Sequence, residues 1–181
     1  MSHAILAWID LEMTGLDPHS DQILEVASII TDSDLNIIEQ GPDLIIHCPE
    51  ERLLKMDDWN RKHHKESSLW DASIDSTISL KEAEDITLDF LKKHIKAPKN
   101  VPLCGNSIWQ DRRFIAAYMP QIDELLHYRL VDVSTIKELA ARWCTSIPKF
   151  EKSNKHRALD DIKESIEELK YYRKNIFPTQ E

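Results

Sequence analysis

A compact apolar run, Ala4–Ile9, ends abruptly in Asp10 and reads as a buried strand. Thr14 to Pro18 follows as turn chemistry, and Ile23–Thr31 is a second strand. Leu44–His47 makes a third after the Gly41-Pro42 break. Three successive strands with short connections predict an antiparallel meander. Helical spacing then takes over. Glu51–Lys62 carries Leu53, Leu54, Met56 and Trp59 amid charge, and Ser79–His94 is amphipathic, with Ser79 and Glu82 at capping-box spacing. Val101–Cys104 is a short strand, Gln110–Met119 a helix stopped near Pro120, and Leu130–Val133 another strand. A helix from Ser134 to Trp143, a polar loop from Thr145 to Lys155 and a helix from Ala158 to Asn175 complete the chain.

This order predicts an α/β fold, a mixed sheet with helices on its faces, within one domain spanning 1–181. There is no internal repeat, low-complexity tract or linker.

Composition narrows the classes. Three glycines leave no glycine-rich phosphate loop. Cys48, Cys104 and Cys144 are odd in number and form no CxxC pair, so buried free thiols are expected rather than disulfides or structural zinc. Every apolar run is shorter than a membrane span and no basic-then-apolar leader opens the sequence, so a soluble, cytoplasmic protein is expected. The formal charge of −9 argues against a protein that grips long nucleic acid through its phosphates. A nuclease is compatible with it if cations neutralise the site and the substrate is very short.

The candidate chemistry lies in carboxylates at element ends. Asp10 and Glu12, two apart on a strand, point to the same face. Asp111 falls in the first turn of its helix, where the macrodipole alone could account for an acid. In the run His156-Arg157-Ala158-Leu159-Asp160-Asp161, the five-residue step puts His156 and Asp161 together only if the histidine precedes the helix. Jointly these acids form a like-charge cluster that is costly without cations. Mg²⁺ and Mn²⁺ prefer such oxygen ligands, and two of them can hold both oxygens of an in-line phosphoryl displacement. A histidine beside them can take the proton from the attacking water.

The order Asp10-Leu11-Glu12, then Asp111, then His156 with Asp161 resembles the DEDD exonuclease superfamily in its histidine-bearing branch. Within it, the oligoribonuclease family is the closer resemblance, over essentially the whole chain. It rests on Ile9 to Leu16, Met56 to Asn60, Gly105-Asn106-Ser107, Asp111 to Phe114, Val131 to Ser134 and His156 to Asp161. The resemblance implies a ribonuclease-H-like fold and a 3′→5′ exoribonuclease that degrades very short RNA, down to dinucleotides, to nucleoside 5′-monophosphates. It implies two divalent ions (Mg²⁺ or Mn²⁺) on Asp10, Glu12, Asp111 and Asp161, with His156 as general base. Leu16 would wedge between the bases and Trp59 stack on the 3′ one, although either could be a core residue. His64 would contact substrate, or else belong to a solvated face with His63 and Lys65. Ser107, Arg129 and Ser134 would cap the 5′ phosphate, and Tyr128 would reach that cap from the second subunit of a homodimer. The resemblance does not predict the bulk of Trp109, which bears on the packing behind Asp111.

Three other readings remain open: a histidine-branch exonuclease acting on longer DNA or RNA, a binding or scaffold protein that keeps the fold without chemistry, and a two-metal phosphatase of small molecules, for which only the carboxylates speak. The acidic charge disfavours the first, and the full set of five catalytic positions disfavours the second.

Overall fold

The computed structural model describes residues 5–151 and 157–177. Five strands form one sheet: β1 (Ile5–Met13), β2 (Ile23–Asp32), β3 (Ile37–Ile45), β4 (Leu103–Gly105) and β5 (Leu130–Asp132), in spatial order β3-β2-β1-β4-β5. β1, β2 and β3 are the expected antiparallel meander, whereas β4 and β5 join in parallel, each preceded by a helical crossover. The helices are α1 (Glu50–Leu53), α2 (Asp58–Glu66), α3 (Leu69–Asp75), α4 (Leu80–His94), α5 (Trp109–Tyr118), α6 (Pro120–Leu125), α7 (Val133–Trp143) and α8 (Ala158–Ile176).

Side-chain alternation along β1 divides the core in two. Ala7, Ile9 and Leu11 pack with Leu88 and Leu91 of α4 and Phe114 of α5 on one face. Trp8, on the other face, packs with Ala27, Ile29 and Cys104 beneath Ala158, Ile162 and Ile166 of α8. Its indole N–H donates to Thr31 Oγ1 at 3.0 Å, so the largest fully buried side chain has its one polar atom satisfied. A third cluster joins Leu24 to Leu53, Met56, Leu69 and Trp70 of the small helices α1 to α3.

Several boundaries depart from the sequence expectation. β3 begins at Ile37 and runs through Gly41-Pro42 rather than starting after it. It is an edge strand, and its pairing slips between Ala27–Asp43 and Ile29–Gln40, so Pro42 sits at a bulge where its missing N–H costs no ladder bond. A Cβ on Gly41 would lie 2.4 Å from Ser28 Oγ, which requires glycine there. The helix expected over Glu51–Lys62 is two helices, broken because Asp57 caps α2 by accepting the Asn60 N–H. α3 was not anticipated, and Pro120 starts α6 at N1 instead of only ending α5. α4 carries the full Ser79–Glu82 capping box. All three cysteines are free; Cys48 and Cys104 are buried, whereas Cys144, near the α7 C-terminus, is half-buried. No helix among the described residues is long and apolar enough to cross a membrane.

Candidate active site

Asp10 and Glu12 continue the Trp8 face of β1 to where α8 begins. β1 is the middle strand, antiparallel to β2 and parallel to β4, so the site opens at the strand's carboxyl end in the centre of the sheet. α8 starts there, and Asp161 in its first turn completes a triad with Asp10 and Glu12 whose ligand oxygens lie within 4.8 Å of one another. Burial is the main cause raising the Glu12 carboxyl to about 8, with the charges of Asp161, Glu25 and Asp111 adding to it. Asp10 is raised for the same reason, with Asp111 and Glu12 as its strongest charged neighbours.

Asp111 stands beside this triad rather than in it. Its Oδ1 accepts the main-chain N–H of Leu11 at 3.1 Å, between the two β1 acids. Burial raises its carboxyl to about 7, against the lowering effect of that hydrogen bond. Trp109 does not pack behind it: the indole is largely exposed, with the Arg113 guanidinium 5.9 Å from its ring. The position expected to supply the base, His156, lies outside the described residues.

The α8 N-terminus is fixed by a residue that sequence reasoning passed over. Glu25, fully buried on β2 opposite Glu12, accepts Arg157 Nη2 at 2.6 Å and Nε at 2.9 Å, and its other oxygen accepts the Ala158 N–H at 3.2 Å. The available signal was a lone acid inside the apolar run Ile23–Thr31. Arg157 also supplies a cationic field that opposes the rise at Glu12.

Leu16 is 67% exposed, yet its turn is pinned. Its carbonyl accepts Gln110 Nε2 at 2.6 Å and Arg113 Nη1 at 3.3 Å, and Asp21 holds Thr14 Oγ1 and the Asp17 N–H. Trp59, on α2, is 68% exposed and stacks on His63 at 4.7 Å with rings 9° from parallel. These exposures exclude both residues from the core. His64 is not on a solvated face: it is 1% exposed, and its Nε2 lies 2.9 Å from the Met13 carbonyl, one residue past Glu12.

Ser107 and Ser134 meet at the carboxyl ends of β4 and β5, with their hydroxyls 3.1 Å apart, and share a surface depression with Asp132 and Arg142. Tyr128 and Arg129 lie beyond the opposite end of β5, the guanidinium 5.6 Å from the tyrosine ring. Four residues, the three of β5 and Val133, stand between Arg129 and Ser134. Tyr128 is 75% exposed.

Comparison with known proteins decides the family. The exonuclease family model matches residues 7–169. An oligoribonuclease of Vibrio campbellii is 53% identical over 174 residues, covering 95% of each chain, and one of Pseudomonas aeruginosa is 54% identical over 169 residues, covering 93% of each. The chain belongs to the oligoribonuclease family. Solved structures agree on the fold. The nuclease domain of 3′hExo, a DEDDh family member bound to rAMP, matches 97% of this chain and 94% of its own at TM-score 0.63 and 14% identity. Escherichia coli Exonuclease I in complex with a dA16 oligonucleotide matches at TM-score 0.64 and 13% identity, and this chain spans only 41% of its length. The oligoribonuclease-family chain therefore carries the ribonuclease-H-like exonuclease fold, with its acidic cluster at the carboxyl end of the central strand.

Proposed function

We propose that this chain hydrolyses very short RNA, especially dinucleotides, to nucleoside 5′-monophosphates. The enzyme class, a 3′→5′ exoribonuclease, follows from membership of the family. The observation that carries the metal-dependent mechanism is the Asp10–Glu12–Asp161 triad, three carboxylate oxygens within 4.8 Å. Half-buried acids this close are costly without compensating positive charge, and an all-oxygen donor set fits a hard divalent cation. Two ions, Mg²⁺ or Mn²⁺, would be held by Asp10, Glu12 and Asp161 together with Asp111. When bound, they supply Lewis-acid stabilisation of the charge that develops on the scissile phosphate.

The chain's own residues do the rest. His156 takes the proton of the attacking water, whose oxygen bonds to phosphorus as the P–O3′ bond breaks; the leaving 3′ oxygen takes a proton from solvent, to which His156 later returns its own. Leu16, exposed on a pinned turn, wedges between the two bases, and Trp59 stacks on the 3′ one. His64, buried with its Nε2 2.9 Å from the Met13 carbonyl, fixes the backbone one residue past Glu12. It acts on the substrate side of the site through that backbone rather than as a lining residue. Ser107, Ser134 and Arg129 close on the 5′ phosphate, with Tyr128 from a second subunit. Tyr128, exposed and beyond the far end of β5 from its own chain's Ser107–Ser134 pair, can reach a neighbouring subunit, which supports the homodimer. Residues 1–181 serve as one cytoplasmic exonuclease domain in this reading.

The reading is tested with a 5′-labelled RNA ladder incubated with Mn²⁺ or Mg²⁺, with and without EDTA. It expects one-nucleotide steps from the 3′ end, released as 5′-monophosphates and abolished by chelation. Endonucleolytic products, or cleavage indifferent to EDTA, would overturn it.

A further inference from the structure

The Ser107–Ser134 pair is tied to the interior by a polar chain whose donor directions can all be assigned. Ser165, buried on α8, donates its hydroxyl proton to the Asp161 carbonyl at 2.8 Å. Its oxygen can therefore only accept from Asn106 Nδ2, 2.7 Å away. Glu168, also buried, accepts from the same Nδ2 at 3.1 Å. The Asn106 amide is thus fixed with its NH₂ group inward and its Oδ1 towards Ser134.

Ser134 must then donate to Asn106 Oδ1, at 3.0 Å. With its proton committed inward, Ser134 Oγ accepts the Ser107 main-chain N–H at 3.0 Å, which Asp132 Oδ1 also accepts at 3.0 Å. Those two bonds hold Ser107 in the left-handed region, φ 51°, which a residue with a side chain adopts only when its surroundings impose it. The Ser107 hydroxyl must then be the donor in its 3.1 Å contact with Ser134 Oγ, and it is the one of the pair whose proton can be redirected to an incoming group.

We propose that Asn106 is a positioning residue for 5′-phosphate recognition. By taking the Ser134 proton it turns Ser134 into an acceptor and orients Ser107 as the hydroxyl that donates to the terminal phosphate monoester of a short oligoribonucleotide. Selectivity for the shortest substrates is built on this alignment. The inference rests on the reading of Ser107 and Ser134 as the phosphate cap.

The test is the ratio of kcat/KM for an RNA dinucleotide bearing a 5′ phosphate to that for the same dinucleotide with a 5′ hydroxyl. A ratio divides out general losses of activity. Wild type should prefer the phosphate. Asn106→Ala should lower the preference by about tenfold, the scale of one hydrogen bond to a charged group. Ser134→Ala should lower it comparably, and the double variant should lose no more than Ser134→Ala alone, because Asn106 acts through Ser134. If Asn106→Ala fails to fold, Ser165→Ala removes one anchor of the amide and should cut the ratio by about threefold. An unchanged ratio in Asn106→Ala, or in Ser165→Ala where that variant replaces it, would overturn the inference, as would additive losses in the double variant. A wild-type ratio near one would instead remove the phosphate-cap reading itself, and the inference with it.

Discussion

The main-chain N–H of Leu11 donates to Asp111 Oδ1 at 3.1 Å across a hundred residues of sequence, which docks the α5 acid between Asp10 and Glu12. The donor is the Leu11 backbone and the acceptor a single side-chain oxygen, so an isosteric amide can keep the bond through its own Oδ1. Asp111→Asn should fold as well as wild type, since it retains the acceptor and removes one of the repelling charges. Its kcat should fall by about a hundredfold or more, because an amide is a poor ligand for a hard cation. Normal turnover would contradict the metal role, and a large loss of thermal stability would contradict the repulsion.

Chelation should make stability fall as pH rises. Glu12 is raised to about 8 and Asp111 to about 7, so the folded chain binds these protons more tightly than the unfolded one. The stability they contribute is fully present below their ordinary values and lost as pH rises through about 7 and then about 8. Urea midpoints measured in EDTA should decline over that window, less steeply in Asp111→Asn. Added Mn²⁺ should stabilise the protein more at its upper end. A midpoint that climbs there would contradict the electrostatic account.

Trp59 offers a flat, exposed face backed by His63. Trp59→Ala should raise KM for a dinucleotide by about 5- to 150-fold, the worth of one base–aromatic stack. Trp59→Phe should recover much of the loss. An unchanged KM in Trp59→Ala would remove the residue from the substrate path.

Subunit sharing can be tested by mixing two inactive variants. Tyr128→Ala lacks the residue a subunit lends, and Asp111→Asn lacks one it keeps. Re-equilibrated at equal amounts, half the dimers would be mixed, each with one intact site, so about a quarter of wild-type activity should return. No recovery, or full activity of isolated Tyr128→Ala, would contradict a shared site.

The fold was legible where one physical signal dominated. The apolar run before Asp10, the Ser79–Glu82 capping box and the period of the last helix gave their elements directly. β3 was clipped because Gly41-Pro42 reads as a break, and only an edge position with a bulge lets a strand pass through it. α1 and α2 were merged because the Asp57 cap lies inside one charged, helix-prone stretch. In the site, Asp10 and Glu12 could be placed on one face from strand alternation alone. Glu25, Asn106, Gln110 and Asp132 could not be found that way, because their roles depend on contacts with residues far away in sequence. His64 was misjudged as a possible solvated residue since His63 and Lys65 flank it, while its own side of α2 is buried against Met13.

The most direct measurement is turnover of a 5′-labelled RNA dinucleotide beside a labelled RNA of about ten nucleotides, in Mn²⁺ and then in EDTA. Rapid, metal-dependent conversion of the dinucleotide to mononucleotides, well ahead of the longer strand, is the expected result. Trimming of the longer RNA while dinucleotides accumulate would contradict the account.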